Sequence, residues 1–359
     1  MKSFKRAWVA IAITTGLVAT AAVGCGGGAD DNRPDNLQAT WFGVTNHHYQ
    51  VGETSFIQDG QVSNYMEGLT AAQAVDKTWA ALSKGGATTP SHIFIGHDHT
   101  ADHSRDTPVW LAKFPQIKVV APKSQCDRLV ELGIKNECLT LTPAMSDGKF
   151  VIKLGDNVEI RPVKWTHSNH NVCVTTTATF PTWGYLIRVD TKRGPITVYS
   201  HDSGSGDGLD KPVVEDTGTY LAPLASLANA MQGAGATRMD LWQGGSETRV
   251  MKQARQLVPL FKPKAFQPQH WAERNMLQGI PYDWFPGATF TKFLVDNGIN
   301  VVKQQNYFDA VVVDVDGTRR LANPAVKAEI GLPADGAGPG PVGSHPRLVA
   351  LPSGECPGD

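Results

Sequence analysis

Ile95-Gly96-His97-Asp98-His99-Thr100-Ala101-Asp102-His103 decides how this chain is read. Three imidazoles and the Asp102 carboxylate fall within seven residues, directly after the apolar run His92-Ile93-Phe94-Ile95. Such a run predicts a short buried strand, and Gly96 marks where it stops. At a strand end His97 and His99 point to one side, because side chains alternate. Asp102 and His103 then open the next segment, Ser104 to Phe114, which predicts a helix despite Pro108. Clustered imidazoles with a carboxylate are the donor set of zinc or a similar borderline metal.

The stretch resembles the HxHxDH signature of the metallo-β-lactamase superfamily, in which a loop at a strand end holds two metals. Here the spacing is His97-x-His99-x-x-Asp102-His103, one residue longer between the second His and the Asp. Three further segments resemble the superfamily's remaining motifs, in the right order. His167, followed by Ser168, stands where a third histidine completes the first metal site. His201-Asp202-Ser203-Gly204 resembles the Gly-Asp-Ser/Thr-Gly element, with Asp202 as the bridging carboxylate and His201, in place of the usual Gly, expected to alter the pocket wall. Lys264 to Trp271 resembles the lysine-containing strand that presents the last metal histidine, here His270.

The resemblance covers about Ala39 to Val315 and implies a four-layer αββα sandwich. It implies His97, His99 and His167 on one metal, and Asp102, His103 and His270 on the other, with Asp202 between them. Asp102 counts both as a ligand and with the catalytic residues. Zinc, two ions, is the expected cofactor; iron and manganese stay open. The superfamily's di-iron redox members carry Glu where this chain has His99, which favours hydrolysis. The expected activity is attack by a metal-bound hydroxide on an ester, lactone, lactam, thioester or phosphodiester bond. The alternative is a periplasmic metal-binding lipoprotein without turnover. For the extra residue at Thr100-Ala101 the expectation is a bulge that leaves all seven ligands converging. Asp98, Ser168 and Asp106 are candidates for orienting ligand imidazoles. Trp165, Trp271, Trp284 and Phe285 are candidates for an apolar pocket wall.

The amino-terminal end has the pattern of an export signal. Lys2, Lys5 and Arg6 precede a mainly apolar run from Ala7 to Val23. Ala22-Val23-Gly24-Cys25 resembles a bacterial lipobox, with Cys25 as the lipidated residue. Residues 1–25 are therefore expected to be a signal peptide and 26–38 a flexible tether rich in Gly, Asp and Asn. Residues 39–325 are expected to form the catalytic domain and 326–359 a Pro/Gly-rich tail. A hydrophobic content of 41% over 359 residues is enough for a sizeable core. Removing residues 1–24 takes three of the 33 basic residues and none of the 34 acidic ones, leaving a net charge near −4. With no basic run carrying interleaved aromatics, a nucleic-acid groove is not expected. The expected partner is a small-molecule substrate, with membrane contact through the lipid anchor only and the oligomeric state open. The expected location is the periplasm or cell envelope. There Cys126, Cys138, Cys173 and Cys356 can pair. Proximity favours Cys126–Cys138, leaving Cys173–Cys356.

Periodicity also predicts strands over 41–45, 49–51 and 54–57, the third ended by Asp59-Gly60, and a helix from Thr70 to Ser83. The adjacent His47 and His48 face opposite ways on such a strand, so at most one lines a pocket. Paired strands are expected over 183–189 and 196–200, a helix from Tyr220 to Met231, and an irregular tail from Gly331.

Overall fold

The computed structural model describes residues 31–97, 103–168, 177–202, 206, 208–245, 250–269 and 288–332. The described elements lie in the unit that begins at Arg33. One sheet has eight strands. From edge to edge they are Gly317–Leu321 (β17), Ala310–Asp314 (β16), Leu37–Trp41 (β1), His47–Val51 (β2), Thr54–Gln58 (β3), His92–Phe94 (β4), Lys118–Ala121 (β5) and Cys138–Thr140 (β6). The other has seven: Asn300–Val301 (β15), Ala265–Gln269 (β14), Leu241–Gly245 (β13), Gly194–Ser200 (β10), Thr177–Thr191 (β9), Val158–Ser168 (β8) and Ile152–Leu154 (β7). Both sheets mix parallel and antiparallel pairs.

Strand alternation builds the layers. Along β9, Trp183, Tyr185, Ile187 and Val189 share a core with Tyr49 and Phe56 of the other sheet. Leu186 points the opposite way, into a second core with Tyr199 and Trp242. That second core is closed by the helices Pro223–Gly233 (α4), Val250–Phe261 (α5) and Ala288–Asp296 (α6). A third core lies on the far side of the eight-stranded sheet. It is closed by Ala71–Lys84 (α1), Thr107–Lys113 (α2), Lys123–Glu131 (α3) and Pro324–Ile330 (α7). Helices, two facing sheets and helices give the expected four-layer αββα sandwich.

Local chemistry accounts for the element ends. Thr70 caps α1 through the Gln73 amide, and the Gln73 side chain answers on the Thr70 amide, a reciprocal capping box. Pro108 sits in the first turn of α2, where a missing N–H costs nothing, so the helix forms with it. Cys126 and Cys138 are bridged, joining α3 to β6; Cys173 and Cys356 lie outside the described residues. Tyr220 falls not in a helix but in Gly218–Tyr220 (β12), paired with Val213–Glu215 (β11). This hairpin is pinned by the buried pair Glu215–Lys164, 2.6 Å apart, with the ammonium also over the Trp183 and Tyr220 rings. The Cys25 segment lies outside the described residues, as does most of the expected 326–359 tail. The domain end expected at residue 325 falls inside α7. Among the described residues, no helix is long and apolar enough to cross a membrane.

His47 and His48 are both buried, on opposite faces of β2. Burial lowers each imidazole from 6.5 to about 4, with the backbone of Thr45 and Thr88 offsetting part of the effect. As pH falls below 6.5 the unfolded chain takes up these protons and the folded chain does not. Their contribution to stability is therefore complete above that value and is lost toward pH 4. Each ring removes about 1.4 kcal/mol per pH unit across the lower part of this window. The urea midpoint of metal-free protein should fall between pH 6.5 and 4.5, and fall less in His48→Gln. Parallel curves for the two proteins would contradict this.

Candidate metal centre

The site forms where the two sheets meet at their strand ends. Beyond β4 the chain crosses to the other sheet: the Trp183 amide donates to the Gly96 carbonyl at 2.7 Å, and His97 bridges to Thr182. A Cβ at Gly96 would stand 3.3 Å from the Trp183 carbonyl oxygen, so the crossing favours glycine. His103 sits on a π-helical turn, His103–Ser104, that leads into α2. Such turns are wider than α-helix and recur at functional sites. His167 ends β8 just after the pairing with β9 slips: Trp165 pairs with Thr182, but His167 pairs with Ala178. Regular alternation would put residues 165 and 167 on one face. The irregularity lets Trp165 pack outward while His167 faces Asp202.

Three imidazoles converge on one carboxylate oxygen. From Asp202 Oδ2, the Nε2 atoms of His97, His167 and His103 lie 3.4, 3.5 and 3.9 Å away. The His97 ring centroid is 3.9 Å from that of His103 and 4.7 Å from that of His167. One ligand atom each from His97, His103 and Asp202 lies within 4.8 Å of the others, and all three residues are buried. A tetrahedral ion with bonds of ~2.0–2.1 Å sets its ligand atoms ~3.3–3.4 Å apart, close to the two shorter spacings. The same distances are longer than good N–H···O bonds of ~2.7–3.2 Å. The residues therefore fit a borderline divalent metal. His99, Asp102 and His270 lie outside the described residues.

The aim of His103 comes from residues that the motif does not contain. Its Nδ1 lies 2.9 Å from Asp59 Oδ2 and 2.8 Å from Thr45 Oγ1. The Thr45 hydroxyl donates to the same Asp59 oxygen at 2.5 Å. Both acceptors call for the proton on Nδ1, which turns the Nε2 lone pair toward Asp202. Asp59 Oδ1 accepts from the Gly96 amide at 2.8 Å, so this carboxylate holds the segments of both His97 and His103. Asp59 and Val44 have φ of 61° and 46°. That conformation is uncommon for Asp and an outlier for Val, and strain of this kind gathers at functional sites.

Three expectations are corrected. His201 does not shape a pocket wall. It turns away from Asp202 into the outer core, tilted against Trp165 and accepting from Trp242 Nε1 at 2.8 Å. Burial lowers its imidazole to about 4. Trp165 lines that same core rather than a pocket. Asp106 orients none of the described ligands: it accepts from the Val62 and Ser63 amides at 2.8 and 2.6 Å. Nothing is described for Asp98, Trp271, Trp284 or Phe285, or for the Ser168 side chain.

No protein-family model matches the sequence, and no curated protein does. Solved structures do match. A mutant of the β-hydroxylase CmlA superposes with a TM-score of 0.50 at 12% identity, over 79% of this chain and 54% of that one. A metallo-β-lactamase fold protein from Bacillus subtilis gives 0.46 at 12% identity, over 77% and 99%. The chain has the metallo-β-lactamase fold. A metallo hydrolase from the archaeon Ignicoccus hospitalis gives 0.47 at 14% identity, over 77% and 98%. At these identities the likeness concerns the fold alone. Of the described ligand candidates, His97 follows β4, His167 lies at the end of β8 and Asp202 follows β10, while His103 sits on the turn into α2.

Proposed function

We propose that this chain is a metal-dependent hydrolase that binds two zinc ions and acts on a small molecule through an ester, lactone, lactam, thioester or phosphodiester bond. The observation that carries the reading is the convergence of His97, His103 and His167 on Asp202 Oδ2. His97 and His167, with His99, serve one ion. His103, with Asp102 and His270, serves the second, and Asp202 stands between them.

When bound, such a pair of ions supplies a hydroxide at neutral pH and absorbs charge on the developing oxyanion. The protein's own contribution is orientation. Asp59 and Thr45 hold the His103 proton on Nδ1, and the Gly96 crossing fixes His97 against β9. Burial of the ligands keeps bulk water from competing for their lone pairs. The enzyme is proposed to be exported and lipid-anchored at Cys25, facing an oxidising compartment where Cys126–Cys138 persists.

A panel of ester, lactone, lactam, thioester and phosphodiester substrates tests the function. Turnover of at least one, abolished by a chelator and restored by zinc, is expected. Stoichiometric zinc binding with no turnover across the panel would instead favour a metal-carrying lipoprotein.

A further inference from the structure

Between the two sheets, beneath the metal centre, buried polar side chains form a directed series of hydrogen bonds. Gln269 Nε2 donates to Ser200 Oγ at 3.0 Å, and Ser200 stands beside the Tyr49 hydroxyl. Tyr49 Oη donates to Gln243 Oε1 at 2.7 Å, and Gln243 Nε2 to Gln267 Oε1 at 2.7 Å. Gln267 Nε2 lies 3.1 Å from His47 Nε2, and His47 Nδ1 lies 3.0 Å from the Thr45 carbonyl. A carbonyl only accepts, so the His47 proton is on Nδ1 and its Nε2 accepts from Gln267. All six side chains are buried, and the series crosses from β14, β10 and β13 to β2.

Its ends give it a role. Gln269 immediately precedes His270, Ser200 stands two residues before Asp202, and Thr45 bonds His103 Nδ1. Two hydrogen-bonded runs, Gln269 to Ser200 and Tyr49 to Thr45, thus meet at the Tyr49 hydroxyl and reach three ligand-bearing segments drawn from both sheets. We infer that Gln267, Gln243, Tyr49 and His47 are positioning residues for the metal centre. They set the height of the Thr45 loop, and so the aim of His103, relative to the strand ends leading to Asp202 and His270. Apolar side chains would hold two sheets together without desolvating six polar groups. What apolar contacts lack is direction, and a hydrogen-bonded polar network favours one arrangement. Ligand atoms must land within ~0.2 Å of their preferred bond lengths, so a small shift of the Thr45 loop matters.

This inference rests on the proposed metal centre, and its test reads metal binding rather than turnover. Gln267→Leu removes two links, and Tyr49→Phe removes only a hydroxyl. Ile160→Ala serves as a control in the same inter-sheet core, outside the series. Zinc affinity is measured by chelator competition, and the Co(II)-loaded spectrum is recorded beside each urea midpoint. Gln267→Leu should weaken the second equivalent of metal by about 10–100-fold and change the Co(II) spectrum, the effect of disturbing a ligand's orienting partners. Tyr49→Phe should move both readouts the same way, by less. Ile160→Ala should lose stability yet bind metal as wild type does. Should Gln267→Leu fail to fold, Tyr49→Phe decides the matter. Wild-type affinity and spectrum in both variants would overturn the inference while leaving the metal centre intact, and so would equal losses in the control. Wild-type protein that binds no metal would overturn the functional reading and this one with it.

Discussion

Asp202→Ala should yield a folded protein that retains little zinc and has lost its turnover. The Asp202 oxygen is the point on which His97, His167 and His103 converge, and the side chain is 1% exposed. Without it three imidazoles face one another with no anion to balance a divalent ion. The loss of affinity should exceed the ~10–100-fold that follows from removing a ligand's orienting partner. Turnover should fall by at least ~10²–10³-fold, the effect of deleting one preorganised electrostatic group. Stability without metal should hold or rise, because a buried carboxylate has been removed. Zinc content after dialysis and the urea midpoint check both halves. Wild-type zinc content in Asp202→Ala would remove the bridging role.

The second large effect lies away from the site. Asp309 and Lys327 are both 0% exposed and form an ion pair that ties α7 to the start of β16. Arg320 Nε approaches the other Asp309 oxygen at 2.5 Å, and the Gln305 amide donates to it at 2.7 Å. Asp309→Ala strands a buried ammonium and frees several donors at once. Breaking a buried pair from one side costs about 3–5 kcal/mol. Lys327→Met is expected to cost much less, since it replaces the ammonium with an apolar group and leaves Asp309 paired with Arg320. Urea unfolding of the two variants checks the ordering, and equal losses would contradict it.

The sequence made the ligand candidates legible because histidines and aspartates at strand ends, next to Gly or Ser, have few other reasons to cluster. The sandwich was legible for a similar reason. β9 and β10 alternate cleanly around a Lys-Arg-Gly turn, and α1 carries its cap in the residues themselves. What stayed hidden depends on contacts between distant segments. Asp59-Gly60 reads as a turn, and nothing local says that Asp59 reaches His103, 44 residues on. Gln267 and Gln269 do leave a trace, two amides at alternate positions on a buried strand, but their partners lie on other strands. His201 looked like a pocket residue because the motif places a Gly there; it shares a face with Tyr199, two residues back, and so turns outward instead. β17 and α7 were not expected from the sequence, and α7 is held by the Asp309–Lys327 pair.

The metal centre itself is tested most directly by counting ions. Metal-free wild type and His103→Ala are dialysed against zinc, and bound metal is measured per chain. About two equivalents in wild type, falling to about one in His103→Ala, is the result predicted by two ions sharing Asp202. One equivalent in both proteins would show that His103 takes no part in holding metal, and none in either would remove the centre altogether.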